Sequence, residues 1–117
     1  MTNDSAEGRY THRERVLDGA KQAVMMQRNA SYGPPSADFE RSAQMMTALL
    51  GEKLKPGAVI SASEVAKLQI CVKLSRTVHS PQHEDSFLDI AGYAACGLEA
   101  AHLAPDTSTH MEEQSWA

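Results

Sequence analysis

Residues 83–95 read His-Glu-Asp-Ser-Phe-Leu-Asp-Ile-Ala-Gly-Tyr-Ala-Ala, and this stretch decides the fold. Asp85 and Asp89 are four residues apart, so on a helix both carboxylates project from one face. The other face carries an apolar stripe at helical spacing, made of Phe87, Ile90, Ala91, Ala94, Ala95 and Leu98. Small residues between Gly92 and Ala101 would let a neighbouring helix approach closely. The stretch predicts a central, buried helix whose acidic edge lines a polar site.

Length and composition favour one all-helical domain. A chain of 117 residues is long enough for one hydrophobic core. Aromatic residues make up only 5% and there are six methionines, which suits packed helices better than a β-sandwich. No apolar run reaches the ~20 residues of a membrane span, and no signal peptide opens the sequence. We therefore expect a cytoplasmic protein in which Cys71 and Cys96 are reduced thiols in the core.

The charge distribution limits the kinds of ligand. The net charge is −4, and the last thirteen residues contain Asp106, Glu112 and Glu113 but no Lys or Arg. The rest of the chain is therefore nearly neutral, which argues against binding duplex nucleic acid over a wide basic face. A small anionic ligand held by two or three cations is compatible with this balance.

Capping and turn signals place four helices. Thr11-His12-Arg13-Glu14 and Ser61-Ala62-Ser63-Glu64 have the form of capping boxes. Ser36 is the expected N-cap of another helix and Gly51 its C-cap. The breaks between helices fall at Gly33-Pro34-Pro35, Pro56-Gly57 and Ser80-Pro81.

The predicted fold class is all-α and four-helix bundle-like. The helices are expected at about residues 12–29, 37–50, 62–79 and 85–103, and the last two should form an antiparallel hairpin. The predicted organisation is a flexible N-terminal arm at 1–10, a single helical domain at 11–104 and a flexible C-terminal tail at 105–117. The third helix is apolar around more than half of its circumference, so it should be largely buried. Surface that remains apolar favours a homo-oligomer.

Three groups of polar side chains are candidates for chemistry. The acidic edge of the fourth helix holds Glu84, Asp85 and Asp89. The third helix presents Lys73 and Arg76, which the hairpin would bring level with these acids. The loop after the first helix supplies Arg28, Asn29, Ser31 and Tyr32. Acids for a metal ion, cations for phosphates and an aromatic face for a base are the parts that a nucleotide pocket needs.

Each group also has a purely structural interpretation. Asp89 could pair with Arg76 across the hairpin instead of binding a metal, and Lys73 could belong to a solvated stripe. Tyr32 and Tyr93 could be aromatic residues at the edge of the core. The sequence contains no P-loop, no GxGxxG motif, no CxxC motif and no Ser-His-Asp arrangement that can be placed, so nucleophilic catalysis is not supported.

Residues 28–41 and 85–94 resemble a family of short phage and prophage proteins without assigned function. More distantly, the Asn-x-x-Tyr-Gly loop and the acidic helix are similar to phage nucleotide-modification-associated domains and to MazG-like all-α NTP pyrophosphatases. This resemblance implies a helical, oligomeric scaffold that handles nucleotides. In the MazG-like enzymes, two acidic pairs hold magnesium, which bridges the phosphates while water attacks. Here Asp85 and Asp89 can stand for one pair, whereas Glu40 and Glu64 each stand alone.

The leading hypothesis is a phage protein, cytoplasmic in an infected bacterial host, that binds a nucleotide or nucleotide-derived ligand. Arg28, Lys73 and Arg76 would hold phosphates, with Asn29 and Ser31 beside them. Tyr32 or Tyr93 would stack on the base. Mg²⁺ or sugar hydroxyls would bind Asp85 and Asp89, with Glu84 as a further metal ligand. Such a protein could be a non-catalytic sponge for defence signalling nucleotides. The alternatives are a magnesium-dependent (d)NTP pyrophosphohydrolase and a structural or protein-interaction module.

Overall fold

The computed structural model describes residues 11–27 and 35–103, and within these ranges the chain is all-α with no β-strand, as predicted. Its helices are α1 (His12–Gln22), α2 (Pro35–Leu50), α3 (Ala62–His79) and α4 (Glu84–Leu103). A π-helical turn at Ala23–Gln27 continues α1, and a 3₁₀ turn at Gly51–Lys53 follows α2. The predicted arm at 1–10 and tail at 105–117, with Trp116, lie outside the described residues.

Both predicted capping boxes are present. Glu14 N donates to Thr11 Oγ1 at 3.2 Å, and Thr11 N donates to Glu14 Oε1 at 2.6 Å. At the start of α3 the same exchange joins Ser61 and Glu64, at 3.1 and 2.9 Å. Each box satisfies two backbone N–H groups that a helix start would otherwise leave without a partner. These local signals therefore fixed the starts of α1 and α3.

The predicted caps of α2 were wrong at both ends. The helix already begins at Pro35, which places Ser36 in the first turn. Proline suits that turn because its fixed φ is helical and the first turn does not use its missing N–H. A C-cap glycine usually has a left-handed conformation, but the φ angle of Gly51 is not positive. Among the glycines in the described ranges, Gly57 alone has a positive φ. The chain instead tightens into the 3₁₀ turn.

The predicted turn at Pro56-Gly57 is confirmed. Gly57 has φ +83°, and Ala58 N donates to Lys55 O at 2.9 Å. A proline followed by a residue with positive φ is the arrangement of a type II turn. The turn redirects the chain from α2 to α3, and Ile60 N then donates to Thr47 Oγ1 at 2.8 Å. This bond ties the end of α2 to the start of α3.

As predicted, α4 is central, and it packs against α1, α2 and α3. Its small residues allow the close approach. A Cβ atom built on Gly92 would lie 3.1 Å from Val24 Cγ1, and one built on Gly97 would lie 2.9 Å from Ala66 Cβ. The first contact faces the turn after α1 and the second faces α3. Glycine at these positions therefore sets the spacing between α4 and two of its neighbours.

The core lies where α2, α3 and α4 meet. Its buried residues are Phe39, Ala43, Val65, Ala66 and Cys96. Partly buried Val24, Met46, Ile60, Ala62 and Tyr93 surround them. Cys96 is buried and Cys71 is exposed, so the prediction of a core position was wrong for Cys71. The core is small and rich in alanine, which matches the low aromatic content.

The prediction that α3 is largely buried was also wrong for the single chain. Val65 and Ala66 are its buried residues. The opposite side of the helix is exposed and apolar, and we call it the outer face of α3: Leu68, Cys71, Val72, Leu74 and Val78. The reason is that α2 and α4 cover one side of the helix only. Among the described helices, none is long and apolar enough to cross a lipid bilayer.

Candidate functional site

One ion pair crosses the contact between α3 and α4. Lys73 Nζ lies 2.9 Å from Asp89 Oδ2, with the Lys73 side chain 15% exposed and that of Asp89 37% exposed. An ammonium group so far from water is stabilised by a nearby carboxylate, which offsets the loss of hydration. The partner of Asp89 is therefore Lys73, and the predicted alternative, a pair with Arg76, is not formed.

The register of the hairpin places two further charged residues, Arg76 and Asp85, one turn from this pair. Besides the Lys73–Asp89 contact, Ser63 Oγ donates to Gly97 O at 3.0 Å, so α3 and α4 are antiparallel, as predicted. Arg76 follows Lys73 on one helix face, and Asp85 precedes Asp89 on the other, each one turn closer to the hairpin turn.

Both Arg76 and Asp85 are exposed, and neither forms an ion pair with another described residue. We call Lys73, Arg76, Asp85 and Asp89 the charged seam. It combines one satisfied pair with two charges that remain available to a ligand.

Tyr93 lies one turn beyond Asp89 on α4. It is half-buried, and its ring centroid is 6.1 Å from that of Phe39 on α2, with the ring planes tilted by 32°. This contact places Tyr93 at the edge of the core, which agrees with the structural alternative given for it above. Its role in stacking on a base stays a prediction.

Glu84 does not join the other two acids. Its Oε1 atom lies 3.4 Å from Arg15 Nε and 3.9 Å from His12 Nδ1, so it faces α1. Five residues separate it from Asp89, which is a rotation of about 140° around a helix. In the described part of the chain, no three His, Cys, Asp or Glu side chains gather to hold a metal ion. The three predicted metal ligands therefore do not lie together. Asp85 and Asp89 belong to the charged seam, whereas Glu84 faces α1.

The predicted ligand-binding loop, with Arg28, Asn29, Ser31 and Tyr32, lies outside the described residues. The residues described on either side of it pack against a single stretch of α4. Val24 contacts Gly92 before the loop, and Phe39 contacts Tyr93 after it. The loop residues stay predictions.

Two surface grooves between α1 and α4 were missed by sequence reasoning. One, of about 640 Å³, is lined by apolar Met25, Met26 and Leu88 and by charged Arg15, Asp18, Lys21 and Glu84. The other, of about 690 Å³, is lined by Val16, Leu17 and Phe87 with His12, Arg13, Gln82 and Glu84.

The sequence shows some of the residues that line these grooves, but not that they lie together. The cations of α1 are visible in the sequence, but nothing in it shows that α1 lies beside Glu84 and Leu88. In the structure the Leu88 side chain packs directly against Gly19.

The fold and the seam define an all-α protein whose last two helices form an antiparallel hairpin with charges across it. A family model described as "Domain of unknown function (DUF6378)" matches residues 15–101, and the chain belongs to this family. All four residues of the charged seam fall inside the matched range.

Two relatives are mycobacteriophage proteins. The Gene 55 protein of Mycobacterium phage D29 is 35% identical over 83 residues, which is 71% of this chain and 51% of that protein. The Gene 55 protein of Mycobacterium phage L5 is 30% identical over 101 residues, which is 86% of this chain and 61% of that protein. The chain thus spans between about half and three-fifths of these relatives.

No solved structure matches the chain. The resemblance of residues 28–41 and 85–94 to a phage protein family without assigned function is confirmed by these comparisons. The more distant resemblance to MazG-like enzymes stays a prediction.

Proposed function

We propose that this phage-family protein binds a nucleotide or nucleotide-derived ligand at the charged seam and does not hydrolyse it. The observation that carries the proposal is the Lys73–Asp89 pair with Arg76 and Asp85 one turn away. Lys73 is held in place by its partner, whereas Arg76 is exposed and has no ion pair with the described residues. An arrangement of one fixed cation and one available cation suits an anionic ligand that arrives from solvent.

The two cations differ in ways that suit phosphate groups. The guanidinium of Arg76 presents several N–H donors in a planar fork, which matches two oxygens of one phosphate. Lys73 is a compact point charge that a second phosphate oxygen can share with Asp89. Asp85 and Asp89 would accept hydrogen bonds from sugar hydroxyls, or would bind Mg²⁺ together with the phosphates.

The orientation of α2 adds a further favourable group. The end of α2 lies at the start of α3, where Ile60 N donates to Thr47 Oγ1, and Phe39 near the start of α2 lies beside Tyr93. Since α4 is antiparallel to α3, α2 and α4 run in the same direction. Pro35 lies four residues before Phe39, and Asp89 lies four residues before Tyr93, the residue that Phe39 contacts. The first turn of α2 is therefore near the level of Asp89. Backbone N–H groups at the start of a helix, together with its dipole, favour phosphate.

Binding without hydrolysis fits the described carboxylates better than catalysis does. A magnesium-dependent pyrophosphohydrolase needs several oxygen ligands around the ion. Asp89 is already engaged by Lys73, Glu84 faces Arg15, and the described residues contain no group of three metal-binding side chains. In a phage, a protein that binds a defence signalling nucleotide without destroying it would act as a sponge.

The test is a thermal-shift panel of NTPs, dNTPs and cyclic dinucleotides, with and without Mg²⁺. A ligand of this site should raise Tm by on the order of 10 °C at about 100 times its Kd, and should be recovered intact after the protein is denatured. The variants Lys73→Met and Arg76→Ala should reduce this shift. Lys67→Met is the matched control, because Lys67 is an exposed lysine of α3 outside the seam.

Three other results would each contradict the proposal. Release of pyrophosphate from NTPs in the presence of Mg²⁺ would establish the pyrophosphohydrolase instead. No shift with any nucleotide would favour the structural or protein-interaction module. A shift that Lys73→Met and Arg76→Ala leave unchanged would place the ligand elsewhere on the molecule.

A further inference from the structure

The outer face of α3 has the residue spacing of a helix that packs against another helix. Leu68, Cys71, Leu74 and Val78 recur at intervals of three and four residues, and Val72 widens the stripe. Leu68, Val72 and Leu74 are 43–49% exposed and Val78 is 85% exposed. Recurrence at three and four residues over several turns is the pattern of a helix–helix seam. This stripe lies on the side of α3 away from the protein core.

The stripe is complementary to a second copy of itself. When two α3 helices are placed antiparallel with Cys71 at the centre, residues equally far from Cys71 in opposite directions face each other. Leu68 then faces Leu74, three residues away on either side. Lys67 faces Ser75, so no two like charges oppose each other along the stripe. Cys71 and Ser75 are small and allow close packing.

The two ends of the stripe also avoid contacts between like charges. Glu64 is seven residues before Cys71, and Val78 and His79 are seven and eight residues after it. The antiparallel pairing brings Glu64 of one copy next to Val78 and His79 of the other, and the twofold axis repeats this at the opposite end. This direction is favoured over a parallel one, which would bring the two Glu64 side chains together.

We propose that the outer face of α3 is the contact between two copies of this chain, packed antiparallel about a twofold axis at Cys71. The contact would extend from Glu64 to Val78 of each copy, which is about 22 Å long and roughly 10 Å wide. That footprint is smaller than a standard interface of about 800 Å² per partner. The dimer is therefore reversible, and its population rises with protein concentration.

The proposal is independent of the charged seam. Lys73 is two residues from Cys71, which is a rotation of about 200° around the helix, so the Lys73–Asp89 pair lies on the opposite side of α3. Arg76 borders the stripe, because it is four residues after Val72. Variants of the outer face are therefore designed without touching Lys73 or Arg76. Their effect on assembly can be separated from any effect on ligand binding.

Cross-linking tests the position of the axis. A short bis-maleimide should join two chains through Cys71 and produce a species of twice the 12.7 kDa chain mass. Cys71→Ser should abolish it, since Cys96 is buried. A cross-link that survives Cys71→Ser, or no cross-link at concentrations where light scattering shows a dimer, would overturn the proposal. A chain that remains monomeric at all concentrations would overturn it as well.

Two substitutions of Val78 test whether the two α3 helices pack antiparallel or parallel. The side chain is 85% exposed, so the single chain should fold normally with either. Val78→Glu should weaken dimerisation roughly tenfold by placing a second carboxylate beside Glu64 of the other copy, whereas Val78→Lys should preserve it. In a parallel pair position 78 would face itself, and the two variants would weaken it alike.

The control is Leu49→Glu on α2, where the leucine is 84% exposed but lies off the stripe. This variant should dimerise like the unmodified chain in sedimentation or light scattering. Equal weakening by Val78→Glu and Val78→Lys, or a loss of the dimer in Leu49→Glu alone, would overturn the proposed interface.

Discussion

Lys73 and Asp89 form an unequal pair: 15% of the lysine side chain is exposed, against 37% of the aspartate side chain. The ammonium group therefore depends on its partner more than the carboxylate does. Water can reach Asp89 when Lys73 is removed, whereas Lys73 would keep its charge in a mostly buried position if Asp89 were removed. This asymmetry predicts different effects for the two substitutions.

Asp89→Ala should lower the free energy of unfolding by about 2 kcal/mol, because it leaves a mostly buried charge without its partner. Lys73→Met keeps the length of the side chain and removes the charge, so its effect should be about 1 kcal/mol or less. Urea denaturation of both variants measures the difference. A larger loss for Lys73→Met than for Asp89→Ala would contradict the asymmetry.

Gly97→Ala should destabilise the hairpin although alanine is the better helix former. A Cβ atom at this position would lie 2.9 Å from Ala66 Cβ, which forces α3 and α4 apart and costs about 1–3 kcal/mol. The higher helix propensity of alanine offsets roughly 1 kcal/mol of this loss in the free energy of unfolding. The net loss should therefore be at most about 2 kcal/mol by thermal or urea unfolding.

The control for Gly97→Ala is the double variant with Ala66→Gly. Removing the methyl group that causes the contact should make the double variant more stable than the sum of the two single effects. Additive single effects in this cycle would show that the contact with Ala66 is not the cause.

Gly57→Ala should cost about 1 kcal/mol through its backbone alone. No atom lies within 4 Å of a Cβ atom built on Gly57, but its φ of +83° is unfavourable for any residue with a side chain. Gly51→Ala is the matched control, because that glycine is also uncrowded and its φ is not positive. Thermal unfolding should show a lower Tm for Gly57→Ala only, and equal values would contradict the type II turn.

Ser86 should not tolerate a larger side chain. It is 1% exposed in the first turn of α4, and its Oγ atom lies 2.8 Å from His83 Nδ1. Ser86→Leu adds volume where none is available and should cost about 1–3 kcal/mol. Ser86→Ala removes only a hydrogen bond whose partner His83 is exposed to water, and should cost about 1 kcal/mol or less. Equal losses in urea denaturation would show that space around Ser86 is not limiting.

The extent of the helices could be predicted from the sequence because local signals determine it. The capping box at Ser61 and the Ser80-Pro81 break bound α3 without help from any tertiary contact. Ser36 shows the limit of this reasoning. Its side chain is a favourable N-cap, yet Pro35 is equally favourable inside a first turn, and a local pattern does not choose between them.

The exposure of individual residues could not be predicted because it depends on where neighbours lie. Cys71 and Cys96 occupy similar apolar patterns, but Cys96 faces the core and Cys71 faces away from it. Glu84 and Asp85 are adjacent in sequence and differ by about 100° around α4, which sends Glu84 to α1. The antiparallel hairpin predicted that Lys73 and Arg76 would lie level with the acids of α4, because a tight connection fixes the register of two helices. It did not predict that Lys73, rather than Arg76, would pair with Asp89.

The π-helical turn at Ala23–Gln27 has a consequence for how this chain can change in length. In a π turn each N–H group bonds to the carbonyl five residues earlier, instead of four as in an α-helix. The turn therefore contains one more residue than an α-helical turn would. Loss of one codon there would convert the turn to ordinary helix and leave His12–Gln22 in register with α4. The same loss inside α3 would turn Lys73 by about 100° away from Asp89. Single-residue insertions and deletions during evolution should therefore accumulate at this turn and be absent from the hairpin.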